Sequence, residues 1–336
     1  MSTLHRAFVE QTRQFSAALP GIREGNADAV HDARVAVRRM RAACPLLSVF
    51  RGDQVDRWVA GLRTIGKALG RVRDHDVSVA LLSRYEERIP PLAAVALTLR
   101  HSLDLSRWPS RRRLLKRLES PEITALLGEF DRLVQGSGVR AFWTPRSTTE
   151  KLRVHIAGHG SALAVAIHRA TGVYFPNRLH QVRIQAKKLR YLIEIAVRLR
   201  MWPDDRDVRT LKRAQDLLGD MRDRQVLLDL VEAHAGDFAS TLNKKPFSSV
   251  LRAERDEYHR RYIERRIELF HVCAAAQRFG SRASMSPLRL AHPLLVCGAM
   301  ALPAAWLVLR HRPRLLKGVT EDDFTVQPQA RRTVAM

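Results

Sequence analysis

Cysteine, aromatic rings and acid are all scarce in this sequence of 336 residues, and each shortage removes a class of function. The three cysteines, Cys44, Cys273 and Cys297, stand far apart with no CxxC pair, so neither a disulfide framework nor a cysteine zinc site is expected. Aromatic residues make up 6%, too few for the stacking platforms that grip unpaired bases. No long run alternates apolar and polar residues with Val, Ile and aromatic enrichment, which argues against a sheet. The opening MSTLHRAFVEQTRQF lacks the continuous apolar stretch of an export signal, and a reducing, cytoplasmic setting is expected. Asp and Glu number 34 against 58 Lys and Arg, leaving a formal charge of +24. That excess exceeds what solubility asks and calls for an anionic partner: nucleic acid, anionic lipid or another polyanion.

The cations are not scattered. VHDARVAVRRMR, Val30 to Arg41, holds four arginines and a histidine in twelve positions. A helix turns about 100° per residue, so His31, Arg34, Arg38 and Arg41 fall within an arc of about 80°, with Arg39 off to one side. Ala33, Val37, Met40 and Cys44 occupy a separate, core-facing arc. Pro45 either kinks this helix or ends it at Cys44. The pattern returns 149 residues later in LHQVRIQAKKLRYLIEIA, where His180, Arg183, Lys187, Lys188 and Arg190 take the places of His31, Arg34, Arg38, Arg39 and Arg41. ALGRVRDHDV from Ala68 and LLGDMRDRQV from Leu217 share the same offset, aligning Gly70 with Gly219 and Arg73-Asp74 with Arg222-Asp223.

Two motifs at one spacing indicate an internal duplication, with units at 1–148 and 149–285. Apolar spacings of three and four read as helix throughout, about four helices per unit, so the expected fold is all-α: a duplicated pair of four-helix bundles. Residues 286–310 form a third segment. Within it LAHPLLVCGAMALPAAWLVL, Leu290 to Leu309, carries no Asp, Glu, Lys or Arg and is followed by Arg310, Arg312, Arg314 and Lys317. Its length suits a membrane span, and a hydrophobic helix docked on the bundle fits equally. Residues 311–336 read as a basic and then disordered tail.

Like charges three and four residues apart cost a helix a few tenths of a kcal/mol per pair, and this chain accepts the cost twice in matching places. Closely spaced phosphates would reverse the sign, because each arginine can fork onto phosphate oxygens. Two roles for the histidines stay open: donating to phosphate when protonated, or ordering the neighbouring arginines. Asp74 and Asp223 read as partners for arginine or as helix caps. Arg63 and Lys212 match at the 149 offset, and with Lys67 they extend the basic surface.

Three other patterns fail on context. GLRTIGKA, from Gly61, resembles a phosphate-binding Walker loop but ends in Ala68 and lacks a preceding strand. HIAGH, from His155, has the spacing of a zincin helix with Ile156 where the glutamate base belongs. The pairs His31-Asp32 and His75-Asp76 suggest a metal-dependent phosphohydrolase, yet the matching positions hold Gln181, Arg224 and Gln225. No metal ligand, cofactor or catalytic residue is assigned.

The two basic helices and the LGxxRD elements, at Leu69 to Asp74 and Leu218 to Asp223, resemble the CHAD family, the conserved histidine α-helical domain proteins, over about residues 1–280. Met40 stands where that family usually has leucine, and the apolar segment lies outside the family's domain. The resemblance implies two four-helix bundles about a pseudo-twofold axis, whose basic helices share a surface that binds inorganic polyphosphate. It also implies association with cytoplasmic polyphosphate granules. The ligand-facing set it implies is His31, Arg34, Arg38, Arg39, Arg41, His180, Arg183, Lys187, Lys188 and Arg190. The ExExK strand of the triphosphate-cleaving domain fused to some relatives is absent, so no catalysis is expected. Nucleic-acid binding is the alternative that the net charge supports.

Overall fold

The structure is a computed structural model that describes residues 3–46, 52–135, 145–170, 172–234 and 244–281. The chain divides into two units, Met1–Ser286 and Pro287–Met336, and every described residue belongs to the first. The apolar stretch 290–309 and the tail lie outside the described residues. Among those described, no helix is long and apolar enough to cross a membrane.

All described elements are helical: α1 Thr3–Glu24, α2 Ala27–Ala43, α3 Gly52–Arg88, α4 Ala93–Leu118, α5 Pro121–Val134, α6 Pro145–Arg169, α7 Pro176–Arg198, α8 Arg206–Ala233 and α9 Lys245–Ser281, with 3-10 turns at Cys44–Leu46 and Pro90–Leu92. Five helices precede residue 135, one more than expected. The extra one arises where α4 stops at Leu118 and α5 restarts at Pro121, a residue suited to a helix start because its missing N–H leaves no bond unmade.

The first basic helix is set by its ends. Gly25 takes a φ of 87°, and the Asn26 side chain then accepts hydrogen bonds from the backbone N–H groups of Asp28 (2.8 Å) and Ala29 (3.2 Å), capping α2. At the other end Pro45 terminates the helix rather than kinking it, since α2 stops at Ala43 and gives way to the 3-10 turn. The core arc is buried as its spacing requires: Val30, Ala33, Val37 and Met40 on α2, with Leu179, Val182, Ala186 and Leu189 on α7. α7 opens on Pro176.

Consecutive helices pack side by side: α1 on α2, α2 on α3, α3 on α4, then α6 on α7, α7 on α8 and α8 on α9, with α6 closing onto α9. α2 meets α7, and α3 meets α8, across the middle. One hydrophobic core runs through both halves, from Phe8, Trp58 and Phe130 to Ile193, Leu211 and Val272. A second cluster gathers Leu82 and Tyr85 of α3, Leu99 of α4, Leu227 of α8, and Phe247 and Leu251 of α9. There the Tyr85 hydroxyl (2.6 Å) and the Arg224 Nε–H (2.9 Å) both donate to Oε2 of Glu254, tying three helices together.

Candidate polyanion-binding face

Where α2 meets α7 the two basic stripes come together. Arg34 lies against Asp74 of α3, Nη1 to Oδ1 at 3.2 Å, and its guanidinium passes over Gly70, where an added Cβ would sit 3.9 Å from Cζ. Arg38, one turn on, has a buried Nε that makes no hydrogen bond, and its guanidinium sits 5.9 Å from the centroid of the Tyr191 ring of α7. Burial pulls Arg38 down to about 10; Tyr191 opposes the shift, and Arg34, Arg190 and Arg183 add to it. His31 is exposed at the start of the stripe and held below its ordinary value by partial desolvation, then by Arg73 and Arg38.

The α7 side mirrors this arrangement. Arg183 is near Asp223 of α8, lies 3.5 Å from the Cβ that Gly219 lacks, and like Arg38 has a buried Nε without a partner. His180 accepts a hydrogen bond at Nδ1 from Nη1 of Arg222 (3.0 Å), because arginine has donors only. Burial, Arg222, Arg183 and Lys187 push its pKa down to about 4, so His180 is neutral at neutral pH and orders an arginine. Lys187 is the most perturbed cation. Burial, followed by Arg183, Arg38, Arg34 and Arg222, drives it down to about 6.

The remaining predicted residues divide between two flanks. Arg41 of α2, Lys188 of α7 and Arg63 of α3 repel one another on one side: Arg41 is lowered by burial and then Arg63, Lys188 by desolvation and then Arg41 and Arg63. On the other side Glu194 sits between Arg190 (2.9 Å) and Arg39 (3.9 Å), and Arg190 also stacks 4.8 Å from the Tyr191 centroid. Arg39 and Arg190 thus have an internal anion already, unlike Arg38 and Lys187. Lys212 is exposed on α8 and paired with Asp216 at 2.8 Å. Lys67 is exposed on α3, one turn beyond Arg63.

A family model described as the CHAD domain matches residues 6–232. The chain belongs to the CHAD-domain family. Its fold is similar to PptA from Streptomyces chartreusis, with a TM-score of 0.55 and 19% identity, covering 84% of this chain and 98% of that one. It is similar also to the CHAD domain from the plant Ricinus communis, with a TM-score of 0.51 and 20% identity, covering 81% and 91%. No curated protein matches the chain.

Elsewhere in this CHAD-domain protein the competing motifs are absorbed by packing. GLRTIGKA lies inside α3 and HIAGH inside α6. His75 Nε2 meets the Ser110 hydroxyl at 3.2 Å, and Asp76 pairs with Arg107 at 3.1 Å. Among the described residues no three His, Cys, Asp or Glu side chains gather as a metal-binding group. Spacing alone did not point to Tyr191 or Glu194 as parts of the face; only the approach of α2 to α7 brings them against Arg38 and Arg39.

The depressed pKa of Lys187 would make binding of an anion at this face proton-linked. Free Lys187 is mostly neutral above pH 6, and a bound anion would restore its charge, so binding would take up protons from about pH 6 upward toward the ordinary lysine value. Affinity should fall as pH rises through that window and become independent of pH below it, where Lys187 is charged before the anion arrives. Calorimetry in buffers of different ionisation enthalpy measures the uptake, and an exchange of no protons at pH 7 would contradict it.

Proposed function

We propose that this protein binds inorganic polyphosphate across the joined faces of α2 and α7 without cleaving it, and associates through it with cytoplasmic polyphosphate granules. The observation that carries the reading is the convergence of four buried guanidinium Nε groups that make no hydrogen bond, on Arg38, Arg39, Arg183 and Arg190, with Lys187, whose pKa burial and then the neighbouring arginines lower to about 6. Buried polar groups normally find partners, and buried charge without a counterion is costly. A row of phosphates supplies both the acceptors and the opposite charge. The CHAD family is linked to polyphosphate binding in general, which agrees with this reading.

Within it, Arg34, Arg38, Arg183 and Lys187 grip the chain, His180 and Asp74 hold Arg222 and Arg34 in place, and Arg41, Lys188 and Arg63 receive the chain at the flank that has no glutamate. The correspondence between the Arg34–Asp74 and Arg183–Asp223 pairs supports descent of the two halves from one duplicated unit.

A polymer touching many cations at once binds multivalently and releases counterions. Titration with orthophosphate, short oligomers and long chains at equal phosphate concentration should therefore show affinity rising steeply with length and falling with salt, the polymer being recovered at its original length. Equal affinity for orthophosphate and the long chain would refute the multivalent grip. Duplex DNA that displaced the long chain at equal charge would point to nucleic acid instead.

A further inference from the structure

The helices around the face carry more cations than the face uses. On α3, Arg63, Lys67 and Arg71 are exposed and follow one another at four-residue intervals, which places their Cβ atoms about 5–6 Å apart along a single line. Arg63 begins that line beside Arg41 and Lys188. Lys67 and Arg71 then line a groove of about 490 Å³ between α3 and α4, whose opposite wall carries the exposed Arg113, Lys116 and Arg117. Arg71, Arg113, Lys116 and Arg117 make no ion pair with any described carboxylate. Ser120 also lines the groove, and its buried hydroxyl makes no hydrogen bond. The other half offers no such path: the residues 149 positions after Lys67 and Arg71 are Asp216 and Asp220, which pair with Lys212 (2.8 Å) and Arg224 (3.4 Å).

We propose that the α3–α4 groove is a second phosphate-binding subsite, joined to the α2/α7 face through Arg63, Lys67 and Arg71, that takes the overrun of a polyphosphate chain too long for the face alone. The inference rests on the reading of that face given above. It adds a direction: the polymer leaves across α3 and α4 and not across α8, where aspartates neutralise the corresponding line. It also makes length selectivity a property of two subsites in series, because a short oligomer satisfies the face and never reaches the groove, whereas a long chain engages both and gains from the raised effective concentration of its own continuation.

The test compares three full-length proteins: wild type, a groove variant combining Arg113→Gln, Lys116→Gln and Arg117→Gln, and a face variant combining Arg38→Glu and Lys187→Glu. Each is titrated with tripolyphosphate, with long-chain polyphosphate and with duplex DNA at several salt concentrations. The three groove residues are exposed, so circular dichroism and melting should match wild type. The groove variant is expected to bind tripolyphosphate within about twofold of wild type, to bind the long chain at least tenfold more weakly, and to show a log–log salt slope lower by about two for the long chain, three cations having left a single-stranded polyanion. A groove variant with unchanged long-chain affinity and salt slope, beside a face variant that has lost both ligands, overturns the groove while leaving the face intact. A face variant that still binds both ligands overturns the reading of the face and, with it, the continuation proposed here. A groove variant impaired for duplex DNA but not for polyphosphate assigns the groove to nucleic acid and likewise overturns the inference.

Discussion

Reversing the charge of Arg38 and Lys187 together is expected to lower long-chain polyphosphate affinity by at least about a hundredfold while leaving the helical content unchanged. Hydrogen bonds to charged groups contribute about 1.5–3 kcal/mol each, so losing two of them already corresponds to about a hundredfold or more, before the repulsion added by two carboxylates is counted. The fold should survive because the new glutamates enter a cluster where cations outnumber the nearby Asp74, Asp223 and Glu194: Arg34, Arg183 and Arg222 lie around Lys187, and Arg34, Arg183 and Arg190 around Arg38. Pairing replaces repulsion. Fluorescence or calorimetric titration beside far-ultraviolet circular dichroism checks both halves of this expectation, and binding retained in a folded double variant would move the site elsewhere.

Lys187→Met should make the protein more stable and worse at its task. A cation driven down to about pKa 6 by burial and four arginines is held in place at the expense of folding. Methionine matches its unbranched length, keeps the packing of the stem and removes the charge. Replacing poorly compensated buried charge with an apolar side chain stabilises by about 1 kcal/mol or more, which for a helical unit of this size raises the melting temperature by a few degrees. The sign of the pH dependence follows from linkage. The folded protein binds fewer protons at this site than the unfolded chain, so wild-type stability climbs as pH rises from about 6 toward the ordinary lysine value. The advantage of Lys187→Met is therefore greatest in acid and fades in alkali. Long-chain affinity should fall by about tenfold at the same time, as expected when a strained binding group is traded for stability. A variant that is destabilised at pH 6, or that binds as tightly as wild type, would show that Lys187 serves packing instead.

Much of the face could be read along the chain because its parts are local. Three cations and a histidine on one helical arc and an apolar core on another are fixed by a period of 3.6, and α2 and α7 carry both patterns as written. Pro45 was open between kink and stop for the same local reason: both outcomes satisfy the ring, and the choice of a stop belongs to the 3-10 turn that follows. What stayed hidden depends on which helices touch. Glu194 reads as one acid among many until α7 carries it to Arg39, and Tyr191 reads as core until Arg38 and Arg190 approach its ring. The groove was obscured for a further reason. In SRRRLLKR the consecutive Arg111, Arg112 and Arg113 leave the helix in three directions, so the run resembles a solvated surface, and only the α3 wall reveals that Arg113, Lys116 and Arg117 face other cations. The additional α5 followed from Ser120-Pro121, a break that composition alone gave no cause to weigh above the other prolines.

The second hydrophobic cluster bears on how the face behaves when filled. It begins at Leu81, about 10 Å along α3 beyond Asp74, and fastens α3 and α4 to α8 and α9 with the shared Glu254 carboxylate at its side. Fastened there, the cationic arms behave as a calliper locked at one gauge. On the proposed reading, a pliant polymer would bend to that gauge, whereas a stiff duplex would have to match it already, and mechanical compliance would join charge as a criterion of selection.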